Sequence, residues 1–392
     1  MIVFFIVLFS FLLSKFFEFI EIPKIMAPLF VGVAFKYFYS TPVLAHLEVF
    51  KILGDLGIIM LLFYTGLELD IKSLKKLGRE TTLVAIFGII LSFGLGFILT
   101  YYVLEYSFII CFVISSALSI TAQGVMAILL DETKMLKSRV GEIILGAGII
   151  DDLIGILLLF IVSLMVSSKN FSLAMLRPLF IGMIFVFMFF YFFNTIKKFL
   201  GDLFLKEEKG NFYDVFTLSL IVVFLIAGCL SFIGFDFSIG AILAGIILNV
   251  ALKSKGKEGI KEEHLIDKFV KAISFGFLNY FFFFWIGFNI DLGLVLQNPM
   301  IGILLALVGF MGKFLAGMFA VYFSKDTLKN GLLIGLGMST KGAVELVLAE
   351  IANQTGLLSA EIFSSIVFMG IVLTIIPPII FNLLVKLENK KS

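Results

Sequence analysis

The stretch "GIIDDLIG", Gly148–Gly155, places two adjacent carboxylates, Asp151 and Asp152, in the middle of an apolar run. The run extends from Ile143 to Val166 and is long enough for a membrane-spanning helix, which needs about 20 apolar residues. An ionised side chain at the centre of a bilayer costs about 3 kcal/mol or more, so such residues are usually functional and paired. The two aspartates therefore indicate both a membrane-embedded fold and a site within it.

The composition is that of an integral membrane protein. Of the 392 residues, 61% are hydrophobic and 15% are charged, whereas soluble domains are roughly half apolar and a quarter charged. The net charge is +2 and the basic residues are dispersed among connectors, which argues against a nucleic-acid partner. The two cysteines, Cys111 and Cys229, lie in apolar stretches and do not indicate a disulfide framework. These features exclude a soluble protein.

Apolar runs separated by charged connectors predict an all-α polytopic fold with thirteen membrane-spanning helices in one membrane domain, residues 1–392. The predicted spans lie near residues 2–20, 24–39, 52–68, 80–104, 107–130, 141–167, 173–196, 213–234, 237–252, 269–290, 300–323, 328–352 and 360–385.

Lysine and arginine are distributed unevenly between the two sides of these spans. Most of the 30 basic residues fall in one set of alternate connectors and in the C-terminal segment. The opposite connectors hold Lys36, Lys51, Lys169 and Arg177. The positive-inside rule then predicts a multi-pass protein of the cell membrane, with the N-terminus outside and the C-terminus in the cytoplasm.

Three further charged residues, Lys313, Lys341 and Glu345, fall inside predicted spans. Lys313, in "VGFMGKFLAGM", is the natural partner of one aspartate, because it is a mid-span cation flanked by glycines that permit close helix approach. The alternative is an ion pair that serves packing alone, although buried pairs contribute little stability. Lys341 and Glu345 are four residues apart and are expected to compensate each other. Lys341 could instead balance the carbonyl ends of unwound helices.

The two aspartates are expected to have separate roles. Adjacent residues on a helix point about 100° apart, so the two carboxylates cannot both face one ion. We expect one to face a hydrated cavity and bind the substrate, and the other to contact a fixed partner. A carboxylate in such a cavity can hold either a proton or a hard monovalent cation, because each neutralises the same charge. Competition for one site would couple the two fluxes, which is the minimal mechanism of an antiporter.

Three pairs of segments recur in the same order at an offset of about 220 residues. The pairs are "APLFVGVAFK" (27–36) with "GAILAGIILN" (240–249), "FYTGLELDI" (63–71) with "FWIGFNIDL" (284–292), and "SITAQGVMAILLDE" (119–132) with "MSTKGAVELVLAEI" (338–351). Each pair is separated by an odd number of spans, so the copies have opposite orientations. Inverted repeats of this kind are typical of secondary transporters. Chance similarity between apolar segments is the alternative explanation.

The third pair places Thr and Gly in mid-span in both copies. Irregular backbone at membrane depth is tolerated only where protein buries it or a wet cavity adjoins it. Interrupted helices at equivalent positions of two repeats indicate the substrate site. We therefore predict unwinding at Thr121, Ala122, Gln123 and Gly124, and at Ser339, Thr340, Lys341, Gly342 and Ala343.

The motifs "LLFYTGLELD", "SITAQGV", "GAGIIDDLIG", "FFFFWIGFNIDL", "GKFLAG" and "MSTKGAVELVLAE" together resemble the cation/proton antiporter superfamily, and within it the cation:proton antiporter-2 branch. The resemblance covers essentially the whole chain. It implies a sodium/proton antiporter fold with two discontinuous crossing helices. It also implies a core at about 80–167 and 300–385, and a homodimer scaffold at about 1–70 and 173–290.

The resemblance further implies that Asp152 is the ion-binding aspartate, that Asp151 pairs with a lysine, and that Lys313 is that lysine. Members that keep this set are electrogenic. We also expect Thr121, in the first interrupted helix, to take part in binding the ion or proton. Two features depart from the pattern. Lys341 stands where relatives commonly have Arg, and Gly342-Ala343 stands where they often have Gly-Glu. The chain has no GxGxxG phosphate-binding motif, so we expect no C-terminal nucleotide-binding domain.

The predicted function is secondary active exchange of Na+ (or Li+) for protons, by an elevator-like movement within a lipid bilayer and without a cofactor. Potassium is the alternative cation, because cavity size and ligand geometry decide selectivity. An intramembrane aspartyl protease is a distant alternative, since that chemistry needs two carboxylates that converge on one proton. An ion channel is disfavoured because inverted repeats with broken helices suit alternating access.

Overall fold

The computed structural model describes residues 2–19, 23–38, 47–68, 78–121, 126–127, 129–130, 133–168, 200, 204, 212–233, 237–324 and 327–389. Regular structure in these ranges is helical, and they contain no strand. This is the expected outcome in a bilayer, where a helix satisfies its own backbone hydrogen bonds. The predicted span at 173–196 lies outside the described residues, and each of the other predicted spans overlaps a helix.

The described helices are numbered here in chain order. They are α1 (Ile2–Phe19), α2 (Ala27–Phe38), α3 (Leu47–Glu68), α4 (Arg79–Ile98), α5 (Phe108–Ser119), α6 (Arg139–Ser168), α7 (Phe212–Ile233), α8 (Phe237–Lys253), α9 (Gly256–Ile273), α10 (Asn279–Asn289), α11 (Leu292–Gln297), α12 (Pro299–Ser324), α13 (Leu328–Met338), α14 (Val344–Gln354) and α15 (Ala360–Asn389). A 3₁₀ turn precedes α2 at Lys24–Met26, and π-helical turns follow α4 and α9 at Leu99–Val103 and Ser274–Leu278.

Seven helical segments among the described residues are long and apolar enough to cross a bilayer. Shorter apolar helices occur at Ala27–Tyr37, Phe108–Ser119 and Phe237–Lys253. The seven segments are Glu48–Glu68, Arg79–Val103, Arg139–Ser163, Tyr213–Phe232, Gly259–Asn289, Pro299–Phe323 and Ala360–Leu387. The chain is thus a multi-pass membrane protein.

The chain divides into two compact units. The first consists of Met1–Leu8, Tyr37–Leu69 and Ser163–Trp285. Within it, α3 packs closely on α8. A Cβ atom on Gly66 would lie 2.3 Å from the carbonyl oxygen of Ile242, and the side-chain amide of Asn249 donates to the Leu67 carbonyl. Small residues at such a crossing let two helix backbones approach.

The second unit consists of Phe9–Lys36, Asp70–Val162 and Ile286–Ser392. It contains residues 80–162 of the first predicted core range and the whole of the second, 300–385. It also contains residues 9–36, which were predicted to belong to the scaffold. The division of the chain into a transport core and a dimer scaffold stays a prediction. Within this unit α12 packs on α4, and a Cβ atom on Gly312 would lie 2.5 Å from Cα of Ser92.

Both helices that were predicted to be interrupted end near the expected residues. α13 ends at Met338 and α14 begins at Val344, so the segment between them covers the residues predicted to be unwound. α5 ends at Ser119, Ile120 has extended backbone angles, and Thr121 is not helical. Residues 126–127 and 129–130 are helical again. The other predicted members of the first break, Ala122, Gln123 and Gly124, lie outside the described residues. The inverted relationship of the two halves stays a prediction.

Candidate functional site

Asp151 and Lys313 form a buried ion pair between α6 and α12. The ammonium group of Lys313 contacts Oδ2 of Asp151, and both side chains are fully shielded from solvent. The stem of Lys313 packs against Gly88 of α4, where a Cβ atom would lie 3.1 Å from its Cδ. Oδ1 of Asp151 has no hydrogen-bond partner among the described residues. Lys313 is therefore the fixed cationic partner of this carboxylate.

Asp152 occupies a different environment from its neighbour. Residue Asp152 is partly exposed, whereas residue Asp151 is buried. Asp152 also interacts electrostatically with Lys313. Gly155, three residues further along the same helix face, lies close to the first break, since a Cβ atom there would be 3.4 Å from Cγ1 of Ile120. The face of α6 that carries Asp152 thus adjoins the end of an interrupted helix.

The ammonium group of Lys341 caps the C-terminal end of α5. It donates to the carbonyl oxygens of Ala117 at 3.3 Å and Leu118 at 2.6 Å, and to that of Ile120. The last four carbonyls of a helix lack intrahelical donors and carry partial negative charge. Lys341 is fully buried and supplies both the donor and the positive charge that these carbonyls need.

Glu345 lies in the first turn of α14 and is also fully buried. Its Oε1 accepts a hydrogen bond from the backbone N–H of Gly342. A carboxylate is favoured at this position because the N-terminus of a helix carries partial positive charge. Lys341 and Glu345 interact electrostatically, but each makes its hydrogen bonds with a helix end. Of the two interpretations of Lys341 that the sequence left open, this geometry matches the one in which it balances helix ends.

Two threonines connect the interrupted helices to each other. The Thr121 hydroxyl donates to the Met338 carbonyl at 2.9 Å, and the Thr340 hydroxyl donates to Sδ of Met126 at 3.2 Å. Thr121 and Thr340 occupy equivalent positions in the two aligned segments of the predicted repeat. The Ser339 hydroxyl bonds within its own helix, to the Gly335 carbonyl at 2.7 Å. The two breaks are therefore in direct contact.

The sequence did not indicate the part that α15 has in this site. The Thr374 hydroxyl lies 3.0 Å from the Lys341 carbonyl oxygen, and the Lys341 N–H donates to the Leu373 carbonyl at 3.4 Å. Thr374 and Leu373 are isolated in an apolar run with no charged neighbour. The one local signal is the pair Pro377-Pro378, which interrupts the hydrogen bonding of a helix.

Comparisons with known proteins identify the family of this chain. The sequence profile of the family described as "Sodium/hydrogen exchanger, transmembrane" matches residues 4–387. The probable Na+/H+ antiporter 3 of Methanocaldococcus jannaschii is 30% identical over 389 residues, which cover 97% of this chain and 94% of the relative. The high-affinity Na+/H+ antiporter NhaS3 of Synechocystis sp. is 28% identical over 356 residues, 85% of this chain and 71% of the relative.

The solved structure of the sodium proton antiporter MjNhaP1 from Methanocaldococcus jannaschii at pH 8 has the same fold. It aligns with a TM-score of 0.65 at 17% identity and covers 99% of this chain and 95% of its own. Profile, relatives and fold together describe a transporter rather than an enzyme. The chain belongs to the sodium/hydrogen exchanger family and is a monovalent cation/proton antiporter of the membrane.

Proposed function

We propose that this protein exchanges Na+ (or Li+) for protons, with Asp152 as the carboxylate that cation and proton occupy in turn. The observation that carries the proposal is the difference between the two adjacent aspartates. Asp151 is buried and paired with Lys313, whereas Asp152 is partly exposed beside an interrupted helix. A carboxylate that an ion must reach and leave needs such an exposed position. The neighbouring Asp151 instead forms the buried ion pair with Lys313.

Thr121 is the second proposed ligand of the cation. Its hydroxyl hydrogen is directed to the Met338 carbonyl, so the lone pairs of its oxygen remain available to a cation. Hard cations prefer oxygen ligands such as carboxylates, hydroxyls and carbonyls. Lys341 already occupies carbonyls at the end of α5, which supports a role for it in charge compensation rather than in ion binding.

We further propose that exchange is electrogenic and uses elevator-type alternating access. If Lys313 loses its proton when Asp151 releases it, more than one proton moves for each cation. In this mechanism the core ranges 80–167 and 300–385 carry the ion, while the scaffold ranges 1–70 and 173–290 form a homodimer within the lipid bilayer. Family membership and the interrupted helices support this mechanism. The distribution of basic residues supports an outside N-terminus and a cytoplasmic C-terminus.

The test is cation-stimulated proton movement in proteoliposomes that contain the purified protein. Na+ or Li+ should release protons from vesicles with an acidic interior, and Asp152→Asn should abolish the signal. Asp214→Asn, the same change at an exposed aspartate of α7, is the matched control and should transport normally. Full exchange in Asp152→Asn would remove Asp152 from the site. A response to K+ with none to Na+ would establish the potassium alternative.

A further inference from the structure

The prolines of α15 leave two carbonyl oxygens without their helical donors. The helix runs unbroken from Ala360 to Asn389 through Pro377 and Pro378. In an α-helix the N–H of residue i donates to the carbonyl of residue i−4, and proline has no N–H. Pro377 therefore frees the Leu373 carbonyl, and Pro378 frees the Thr374 carbonyl.

The carbonyl that Pro377 frees is the one that bonds to the unwound segment of the site. The N–H of Lys341 donates to the Leu373 oxygen at 3.4 Å. Residues 339–341 are fully buried at the end of α13. The N–H groups of Ser339 and Thr340 still donate to carbonyls of α13, whereas that of Lys341 donates to α15. A buried backbone donor without a partner is costly, and more so at membrane depth. The carbonyl that lacks a donor within α15, that of Leu373, therefore accepts from a backbone N–H of the unwound segment, that of Lys341.

Thr374 provides the complementary contact. Its hydroxyl lies 3.0 Å from the Lys341 carbonyl oxygen and 2.7 Å from the carbonyl oxygen of Gly370 in its own helix. A hydroxyl has one hydrogen, which is shared between these two acceptors. Both backbone groups of Lys341 are thus bonded from consecutive residues of α15, and its ammonium group extends to the carbonyls of α5.

We infer that Pro377 and Thr374 are positioning residues for the ion site. They hold the main chain of Lys341 so that its ammonium group stays on the end of α5, next to the break that adjoins the Asp152 face of α6. The inference rests on the proposed function for its transport readout. Its structural readout, the protection of the unwound segment, does not depend on that function.

A simple bend in α15 is the competing explanation, and it predicts similar effects of the two prolines. The i to i−4 hydrogen-bond pattern instead predicts different effects of the two substitutions, because Pro377 alone frees the carbonyl that accepts from Lys341. In Pro377→Ala, the new N–H would compete for the Leu373 oxygen. Pro378→Ala adds a donor for the Thr374 oxygen and leaves the Leu373 oxygen free, so it is the matched control.

The first experiment is hydrogen–deuterium exchange of the purified full-length protein, read on peptides that contain residues 339–343. We expect amide exchange there to be about five-fold faster in Pro377→Ala, the factor that one net hydrogen bond is worth. Exchange in Pro378→Ala should stay at the wild-type rate. Equal acceleration in both variants, or none in Pro377→Ala, would overturn the inference.

The second experiment measures sodium-driven proton movement in proteoliposomes. Pro377→Ala and Thr374→Val should raise the apparent KM for Na+ about five-fold, with the maximal rate reduced less, because the ligands are displaced rather than removed. Thr374→Ser keeps the hydroxyl and should restore the wild-type KM. If Pro377→Ala does not fold, the comparison of Thr374→Val with Thr374→Ser tests the inference. Equal KM values for these two variants would contradict it. Lack of exchange by the wild-type protein would refute the proposed function, while the deuterium experiment would still test the positioning role.

Discussion

Thr121 and Met338 join the two interrupted helices, through a hydrogen bond of 2.9 Å from the threonine hydroxyl to the backbone carbonyl that ends α13. Lys341 makes the reciprocal connection, from the second break to the carbonyl end of α5. Each break thus supplies donors for buried carbonyls at the helix end of the other. The ends of α5 and α13 at the site therefore stabilise each other, and a substitution at either break should affect both.

Removal of the Thr121 hydroxyl should weaken cation binding. Thr121→Val has nearly the same shape, but it leaves the Met338 carbonyl without this donor and removes a proposed oxygen ligand. Loss of one buried hydrogen bond corresponds to about five-fold in affinity, so we expect the apparent KM for Na+ to rise by at least that factor. The measurement is proton flux in proteoliposomes as a function of Na+ concentration. Thr121→Ser keeps the hydroxyl and should behave as wild type; equal KM values for the two variants would exclude the hydroxyl from the site.

Neutralisation of Lys341 should destabilise the protein. Lys341→Met keeps an unbranched side chain, shorter by the terminal nitrogen, and withdraws a charged donor from three buried carbonyls. A hydrogen bond to a charged group is worth roughly 1.5–3 kcal/mol, so the variant should unfold at a clearly lower temperature in detergent and lose transport. Lys341→Arg retains the charge and the donors and should keep both properties. An unchanged unfolding temperature for Lys341→Met would contradict the capping role.

Breaking the Asp151–Lys313 pair should affect stability and voltage dependence together. Lys313→Gln leaves a buried carboxylate without its cation, a change that costs roughly 3–5 kcal/mol in comparable buried pairs. The double variant with Asp151→Asn has no uncompensated charge and should recover most of that loss. If Lys313 carries a proton in the cycle, flux through the single variant should no longer respond to membrane potential. Currents recorded on supported membranes measure this, and an unchanged voltage response would argue against electrogenic exchange through Lys313.

Close contact between α4 and α12 should be necessary for the position of Lys313. A Cβ atom in Gly312→Ala would lie 2.5 Å from both Cα and Oγ of Ser92, so the two helices would have to separate. Overpacking of this kind costs roughly 1–3 kcal/mol. Gly94→Ala on α4 is the matched control, because nothing lies within 4 Å of its Cβ position. Thermal unfolding of both variants is the measurement, and similar unfolding temperatures would show that the helices tolerate the extra methyl group.

The fold was largely predictable because a bilayer imposes simple rules on a sequence. Long apolar runs such as 300–323 and 360–385 became α12 and α15, since a helix satisfies its own backbone hydrogen bonds within lipid. The break at 339–343 was also predictable, because Thr and Gly in mid-span indicate irregular backbone. Helix bounds near charged connectors were less certain: the predicted span at 269–290 continues an amphipathic helix, α9, through a π-helical turn.

The site was predictable at charged residues that fall inside predicted membrane spans. Lys313 was assigned to one of the two aspartates because an unpaired charge in the membrane is costly, and the family resemblance pointed to Asp151, which Lys313 contacts in the structure. The contacts of Lys341 depend on which helix end packs against it, and no sequence spacing encodes that. For the same reason the contribution of Leu373 and Thr374 was missed, since its acceptor is a backbone carbonyl that any residue possesses.

Competition at Asp152 predicts a specific dependence of cation affinity on pH. If cation and proton exclude each other from one carboxylate, a cation binds only after the proton leaves, and each unit of falling pH should raise the apparent KM for Na+ by about tenfold where the site is mostly protonated. The maximal rate at saturating Na+ should change much less over the same range, because high cation concentration displaces the proton. Asp214→Asn should follow the wild-type curve, since this exposed carboxylate of α7 is remote from α6 in the sequence and has no part in the proposed site. Proton flux measured at several Na+ concentrations and at equal pH on both sides of the vesicle separates the two parameters. A KM that is constant while the maximal rate falls with acidification would mean that the proton acts at a different group, and the exchange would then require two binding sites.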